Sequence, residues 1–509
     1  MAKQEISQFE RQRQEKLDRI REMGIDPYGN RYEGTEAAEN IKCRFKDGDE
    51  TQQAKCAGRI VLLRDIGKLI FMTLRDWSGT IQIGLSKSEL GKQWSLVKLL
   101  ELGDIIGAAG RLGKTKTGEI TIWADNVTLL SKSLLHPPEK FHGLSDIDLR
   151  YRQRYVDLWA NPEVMERFKK RSAIIATIRE FLRGLGFLEV ETPMMQSIAG
   201  GAAAKPFVTH ANKLDLDLFL RIAPELFLKR LLVGGMEKVF EINRNFRNEG
   251  LSREHNPEFT MLELYQAYAD YNVMMDLTEE IISACVEKYC ADKPRRRPCG
   301  ENKGPAPGGE SLLRGKQVQF EKKTIDFKRP WRRMQYAELL KEYSGCDIDD
   351  IKAVRAKATE LGLDQKNMDD AVVIHKVFEA TVEDNLTDPG FVIDYPAALC
   401  PLTRRKKDSR GAETKYSERF ELYIAGMELA NAYTELNDPA VQEENFQIQL
   451  RGQEESMAVM DEDFITALKY GMPPAGGLGI GIDRLIMVLT GAASIRDVVL
   501  FPLLKPSKD

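Results

Sequence analysis

Apolar residues near the start of the chain recur at helical spacing. Ile6, Phe9, Leu17, Ile20 and Met23 share one face with Arg13, and Gly24 follows as a stop, which predicts an amphipathic helix. The opposite face carries Arg11, Lys16, Arg19 and Arg21 among acids, the pattern of a solvated face or, in a sharper reading, of a helix tracking an RNA backbone. From about residue 54 to 135 the period shortens to two. CAGRIVLL, KLIFMTLRD, GTIQIGLS, DIIGAAGRL and GEITIW are strand-like runs, and Ile81, Ile83 and Leu85 alternate with Thr80, Gln82 and Gly84. After the joint His136-Pro137-Pro138, helical spacing returns from about Pro162 to Arg183 through Val164, Phe168, Ile175, Ile178 and Leu182. Gly184 and Gly186 end that helix, and FLEVETPMM reads as a strand closed by Pro193. Strands and helices then alternate irregularly, which predicts an α+β fold rather than a βαβ repeat.

Three regions follow: a helical extension over residues 1–53, a β-domain over 54–145 and a mixed domain over 146–509. The last is interrupted at residues 291–317, where Pro and Gly density without an apolar period marks a flexible excursion, and Arg295, Arg296 and Arg297 read as a solvated cluster. Five short strands suit a small barrel, and the oligonucleotide-binding (OB) barrel is the natural candidate. Such barrels hold single strands by stacking bases on aromatic rings and hydrogen-bonding their edges. Phe71 and Gln82 would stand on that surface, although periodicity alone leaves Phe71 in the core run Leu69–Met72.

Composition narrows the choice. The chain has 509 residues, 42% hydrophobic and 30% charged, enough to build cores and too apolar for a disordered chain. Its 74 Lys and Arg against 78 Asp and Glu give a net charge of −4, which excludes a polybasic binder acting by bulk charge but leaves room for a local basic surface. The N-terminal stretch lacks the apolar core of a secretory signal, and no window reaches the ~18 apolar residues of a membrane helix. Seven scattered cysteines without a CxxC pair suggest reduced thiols and a cytoplasmic location.

Three stretches carry candidate chemistry. In FEINRNFRNEGLSREHNPEFTMLELYQAY, read as a hairpin, Arg247 and Glu249 point the same way, Gly250 to Pro257 form a loop bearing His255, and Phe259, Met261, Glu263 and Tyr265 share a face of the return strand. In RFELYIAGMELANAYTELNDP, Glu421, Glu428 and Glu435 recur every seven residues. Seven is odd, so convergence needs a bulge or bend, expected at Gly426; Asn431, Tyr433 and Glu435 already share a face. Clustered carboxylates without competing His or Cys suit Mg²⁺. In GGLGIGIDRLIMVL a strand turns into a helix through Gly479 and Gly481, letting backbone approach a ligand, with Arg484 in the first helical turn.

Together with FLRGLGFLEVETPMM, these stretches resemble the motifs of class II aminoacyl-tRNA synthetases: FRNEGLSREHNPEFTMLE is similar to the second motif and GLGIGIDR to the third. LRYRQRYVDL, GGAAAKPF, IAPELFLKRL and SIRDVVLFP extend the resemblance over nearly the whole chain, toward the bacterial-type lysyl branch of subclass IIb. The resemblance implies an N-terminal OB-fold anticodon-binding domain and a catalytic domain with an antiparallel sheet flanked by helices, in a homodimer without a membrane anchor. It implies that Arg247 and Arg484 are catalytic and bind ATP with Glu249, His255 and Phe259, while Glu421 and Glu428 hold Mg²⁺ beside ATP. Gly201, Glu225, Glu263, Tyr265, Asn431, Tyr433 and Glu435 would bind L-lysine, and Phe71, Gln82 and Glu119 the anticodon of tRNA(Lys). About three Mg²⁺ per subunit are implied in the same way.

The chemistry agrees with that assignment. Activation of an amino acid needs no general base, because the attacking carboxylate is already ionised; it needs positioning and neutralisation of phosphate charge. Buried carboxylates facing a lysine ammonium reject uncharged analogues, since an unpaired buried charge costs about 3–5 kcal/mol. An aspartate or asparagine site would want a cation facing the side chain, and the three motifs hold none. A silent tRNA-binding paralogue would be expected to lack Arg247, the Glu421/Glu428 pair or Arg484, and a protein-lysylating relative needs no anticodon barrel. The chain departs from the family pattern at Glu254, where a basic residue is usual, at Lys205 and Met427, where arginine is usual, and in the length of the 291–317 excursion.

Overall fold

The N-terminal stripe folds as α1 (Gln8–Glu22), and its spacing buries Arg13, Leu17 and Ile20. Arg13 is in the buried row because its guanidinium donates to the carbonyls of Ser133 and Leu102, both at 2.9 Å, while Lys16 pairs with Glu101 at 2.7 Å and Arg11, Arg19 and Arg21 stay exposed. This computed structural model describes residues 8–136, 144–202, 204–289, 317–451 and 460–506. Ile6, Pro137, Pro138, and the 291–317 excursion up to Lys316 with its arginine cluster lie outside the described residues.

The described chain forms two units, divided between Ser145 and Asp146. In the first, β1 (Gln53–Asp65), β2 (Leu69–Arg75), β3 (Thr80–Ser86), β4 (Ile105–Lys114) and β5 (Ile120–Ser131) close into a barrel in the order β1-β2-β3-β5-β4, with β4 returning to β1. Alternation sends Ile70, Met72 and Leu74 of β2 and Ile81, Ile83 and Leu85 of β3 inward. Phe71 therefore faces outward, not into the core as its apolar neighbours suggested. It sits opposite Gly84, which in turn faces Trp123, so the two rings meet edge to face at 5.8 Å across the glycine.

The second unit is built on an eight-stranded sheet. In chain order its strands are β6 (Leu188–Glu189), β7 (Lys238–Phe246), β8 (Glu258–Ala267), β9 (Arg332–Gln335), β10 (Gly390–Ile393), β11 (Arg419–Ile424), β12 (Met427–Thr434) and β13 (Ala475–Gly481). They lie in the order β9-β10-β11-β12-β13-β8-β7-β6. The six central strands are antiparallel, and the outermost strand on each side pairs parallel. FLEVETPMM is not one strand: only Leu188 and Glu189 join this sheet and Met195–Gln196 pairs elsewhere, because Pro193 interrupts any continuous ladder.

One face of the sheet is apolar, with Phe240, Leu262, Leu264, Phe420, Leu422, Ala430, Ala432, Leu478 and Ile480 all buried. Against it pack α2 (Pro162–Gly184), α4 (Tyr271–Tyr289) and α8 (Ile482–Thr490), between which α3 (Glu225–Val233) and the small bundle α5 (Tyr336–Ser344), α6 (Ile351–Glu360) and α7 (Asp370–Thr381) occur in the chain. The opposite face is polar. Across adjacent strands, Glu241, Glu263, Gly479, Asn431 and Glu421 stand in one row, and Tyr265, Gly477, Tyr433 and Arg419 in the next. That row is the floor of the site.

Candidate active site

The odd seven-residue spacing of the glutamates is resolved by two local features. Ala425 and Gly426 both have positive φ, +61° and +85°, and make the tight two-residue turn joining β11 to β12. Tyr423 then pairs with Glu428 while Leu422 pairs with Ala430, leaving Leu429 as the extra residue of a bulge. The bulge thus falls at Leu429 and not at Gly426, which turns the hairpin. It flips the alternation once, so that Glu421, Glu428, Asn431 and Tyr433 share the polar face.

Above this face lies a cavity of about 990 Å³ lined, among others, by Arg247, Glu263, Glu421, Glu428, Tyr433 and Arg484. At one end Arg247 follows the last residue of β7, its N–H donating to the Pro257 carbonyl at 2.9 Å and its guanidinium lying 5.2 Å over the Phe259 ring. Its Nε is buried and has no hydrogen-bond partner among the described residues. Arg484, in the first turn of α8, donates to the Glu428 carbonyl at 2.6 Å and reaches His255 Nε2 at 3.0 Å. A guanidinium only donates, so Nε2 accepts and the imidazole proton sits on Nδ1, 2.8 Å from Ser252 Oγ. Burial and the neighbouring Arg484 hold the His255 pKa below the usual histidine range, consistent with that neutral tautomer. Glu249 is exposed at the cavity's lip.

Glu421 is buried and accepts from the Tyr395 and Tyr423 hydroxyls, each at 2.7 Å, while pairing with Arg419. Burial works to raise its pKa, but Arg419 and those hydroxyls outweigh it and keep the carboxylate below its ordinary range. Glu428, beside it, is pushed upward by burial and by the charge of Glu421. The Tyr423 hydroxyl also lies 2.9 Å from Glu383 Oε1. One phenolic proton cannot serve both carboxylates, and burial lifts Glu383 to about 7.

The other end is more enclosed. Glu225, Glu263 and Glu435 are each at most 5% exposed. Tyr433 donates to Glu225 Oε2 at 2.7 Å, and Tyr265 to Glu263 Oε2 at 3.3 Å. Burial, with the charge of Glu225 adding to it, lifts Glu263 to about 8; burial likewise lifts Glu435 to about 8, against the pull of Lys229. The Asn431 Oδ1 and Glu435 Oε1 atoms are buried without a hydrogen-bond partner among the described residues. A Cβ at Gly477 would overlap Glu435 and the Tyr265 ring, so here the glycines clear space for neighbouring side chains of the site; the strand runs through Gly479 to Gly481 and the helix begins at Ile482. Gly201 approaches Glu225 in the left-handed region, φ +86°.

The structure also brings in residues that the motif reading passed over. Lys229 is fully buried between Glu225 and Glu435. Its signal was the i, i+4 spacing of Glu225 and Lys229 in ELFLK. Arg419 was legible as the residue two before Glu421, on the same strand face. Tyr395 and Glu383 come from separate segments and carried no local signal. In the barrel unit, Gln82 stands between Thr73 and Thr121 beside the Phe71–Trp123 pair, and Glu119 is exposed on the loop before β5.

Glu421 and Glu428 fit a divalent cation: one carboxylate is held ionised, and its charge destabilises the other until a cation lies between them. Among the described residues no group of three or more His, Cys, Asp or Glu side chains forms a metal cage. This is the donor set of Mg²⁺, which typically uses one or two carboxylates and takes its remaining oxygens from phosphates and water. No helix among the described residues is long and apolar enough to cross a membrane.

The family model of class II tRNA synthetases (D, K and N) matches residues 146–505, and that of the OB-fold nucleic acid binding domain matches residues 54–130. The chain belongs to the class II tRNA synthetases. Among its relatives there, it is 52% identical over 516 residues to the lysine–tRNA ligase of Carboxydothermus hydrogenoformans, covering 99% of this chain and 100% of that protein. It is 50% identical over 513 residues to that of Pelotomaculum thermopropionicum (99% and 96%) and 47% over 520 residues to that of Magnetococcus marinus (99% and 98%).

Proposed function

We propose that the protein ligates L-lysine to tRNA(Lys) in two steps: formation of lysyl-adenylate from lysine and ATP with release of pyrophosphate, then transfer of the lysyl group to the tRNA 3′ end with release of AMP. The observation that carries this reading is one cavity that joins Arg247 and Arg484 to the buried carboxylates Glu225 and Glu263, with Glu435 buried directly behind its wall at Gly477. Lysine brings two ammonium groups, which Glu225, Glu263 and Glu435 oppose, while Gly201, Tyr265, Asn431 and Tyr433 shape the space around it. The unpartnered atoms of Asn431 and Glu435 support a polar occupant.

At the other end Phe259 stacks on adenine, Arg247 holds the α-phosphate and Arg484 the γ-phosphate, with Glu249 and His255 at the rim. The lysine carboxylate attacks the α-phosphorus in line, and Arg247 meets the charge that builds on the phosphate oxygens. Glu421 and Glu428 would hold Mg²⁺, about three per subunit, which neutralises phosphate charge when bound. Neutral His255 keeps Arg484 oriented without competing for the nucleotide's negative charge.

In this reading residues 54–145 bind the anticodon behind a helical extension over 1–53, with Phe71, Gln82 and Glu119 at the RNA and Trp123 extending the aromatic surface. The exposed Leu185, Leu188, Met194 and Met195 support a homodimer, and the enzyme works in the cytoplasm. Lysine-dependent ATP–pyrophosphate exchange tests the proposal. Exchange with aspartate or asparagine but not with lysine would overturn it. The neighbouring aspartate reading is disfavoured because the cation nearest Glu225, Lys229, lies behind the cavity wall and is already engaged by two carboxylates.

A further inference from the structure

Behind the amino-acid end of the cavity lies a lysine of the protein's own, paired with Glu225 of the cavity wall. Lys229 lies one helical turn after Glu225 on α3 and is fully buried, an expensive location for an ammonium unless it is paired. Its Nζ donates to Glu225 Oε1 at 2.6 Å, pairs with Glu435 Oε2, and lies 5.5 Å from the centre of the Tyr433 ring. Each partner is thereby divided. Glu225 gives Oε1 to Lys229 and Oε2 to the Tyr433 hydroxyl, while Glu435 gives Oε2 to Lys229 and keeps a buried Oε1 that accepts no hydrogen bond among the described residues. Glu263 takes no part in this pairing, and Arg230, the next residue of α3, turns away to Asp461 and Asp463.

The charges make the arrangement informative. Three carboxylates less one ammonium leave two negative charges, the number that a substrate with two ammonium groups cancels. Without a resident cation, three buried carboxylates around two substrate charges would leave one unmatched, a costly state that protonation or collapse of the pair would relieve.

Resting on the lysine-ligase reading above, we propose that Lys229 is a positioning and specificity-determining residue: it neutralises one carboxylate equivalent around the amino-acid end and holds Glu225 and Glu435 apart, so that the charge left over matches two substrate ammonium groups. The groups that face it or its partners are Glu225 on α3, Tyr433 and Glu435 on and after β12, and Glu263 and Tyr265 on β8, with Arg221 and Arg247 acting on Glu263. Burial opposes the charge on Lys229, but Glu225 and Glu435 outweigh it and hold its pKa above the ordinary lysine range, so it stays a cation throughout the working pH range.

The test is steady-state pyrophosphate exchange by the full-length Lys229→Met and Lys229→Arg proteins, with thermal melting as a check on folding. Lys229→Met is expected to raise KM for lysine about tenfold or more, leave KM for ATP within about twofold, and shift the acid limb of kcat/KM for lysine to higher pH. Lys229→Arg, which keeps the charge, is expected to restore the pH profile and part of the affinity. A Lys229→Met protein with wild-type KM for lysine and an unmoved pH profile would overturn the proposal. So would equal loss in both substrates' KM, or a failure to fold in Met that Arg rescues without restoring the lysine KM, since these mark a purely structural lysine. Absence of lysine-driven exchange in the unmodified protein would instead overturn the underlying reading.

Discussion

Two groups of glutamates are gathered at the same cavity, yet their carboxylates are supported in different ways. Glu421 is kept ionised by Arg419 and two tyrosine hydroxyls, and its charge presses on Glu428. Glu263, held by one tyrosine hydroxyl, and Glu435, held by Lys229, are both pushed up to about 8, so in the absence of a cationic ligand burial favours their neutral forms. The difference is one of wiring. A carboxylate poised for a metal is given fixed donors that keep its charge in place, whereas one poised for an organic cation is left short of donors, so that the substrate's ammonium supplies what the protein withholds.

The largest expected effect comes from removing the arginine whose charge acts on both groups, lowering the pKa of Glu263 and of Glu428. Arg247→Ala should lower kcat of lysine-dependent exchange by about 10²–10³-fold with little change in melting temperature, because its guanidinium lies over the Phe259 ring and its Nε has no hydrogen-bond partner among the described residues. A loss below tenfold would show that the phosphate end does not depend on it. A smaller pair of effects separates the clusters directly. Glu435→Gln should raise KM for lysine by about 10²-fold and leave the Mg²⁺ requirement unchanged, whereas Glu428→Gln should raise the Mg²⁺ and ATP requirement and leave KM for lysine nearly constant. Equal responses in both titrations would erase the distinction.

What the sequence showed of these clusters follows from how each is assembled. The hairpin of β7 and β8 and the shared face of Asn431, Tyr433 and Glu435 were legible, because strand alternation is local and survives folding. The place of the bulge was not. A glycine offers the same permission at a turn and at a bulge, and only the pairing of Tyr423 with Glu428 shows that Gly426 makes the turn while Leu429 absorbs the extra residue. Phe71 was ambiguous because four apolar residues in succession hide the alternation; the closed barrel shows it outside, against Trp123. Tyr395 and Glu383 reach the metal end from segments distant in sequence, and nothing local in either segment announces that meeting.

The same contrast predicts a pH dependence. For Glu263 and Glu435 the folded pKa of about 8 lies above the ordinary 4.5, so the neutral acids favour the folded, ligand-free protein. Their contribution to stability is whole below 4.5 and is lost as pH rises through about 8. The melting temperature of the lysine-free protein should therefore decline over that window, and saturating lysine should restore it most at the alkaline end. Lysine binding at about pH 7 should release protons, about two if both acids ionise against the substrate, read by calorimetry in buffers of different ionisation enthalpy. Heat of binding independent of the buffer would mean that these acids are already ionised, and the two clusters would then be alike.

The smallest effect is expected at Glu383, which, like Glu428 and the acids of the lysine end, is pushed upward. Burial, with the nearby charges of Glu379, Glu421 and Glu428 adding to it, lifts it to about 7, although the Tyr423 hydroxyl works the other way. Its sign is opposite in consequence to that of Glu263. As pH rises through about 7, Glu383 gains a negative charge behind Tyr423 and adds to the attraction that Glu421 and Glu428 exert on a cation. Glu383→Gln fixes the neutral form. At pH 6 the variant and the unmodified protein should need the same Mg²⁺ concentration for half-maximal exchange, and at pH 8 the variant should need about two- to threefold more. A difference already present at pH 6 would assign Glu383 a structural role through Tyr423, and no difference at pH 8 would remove it from the metal end altogether.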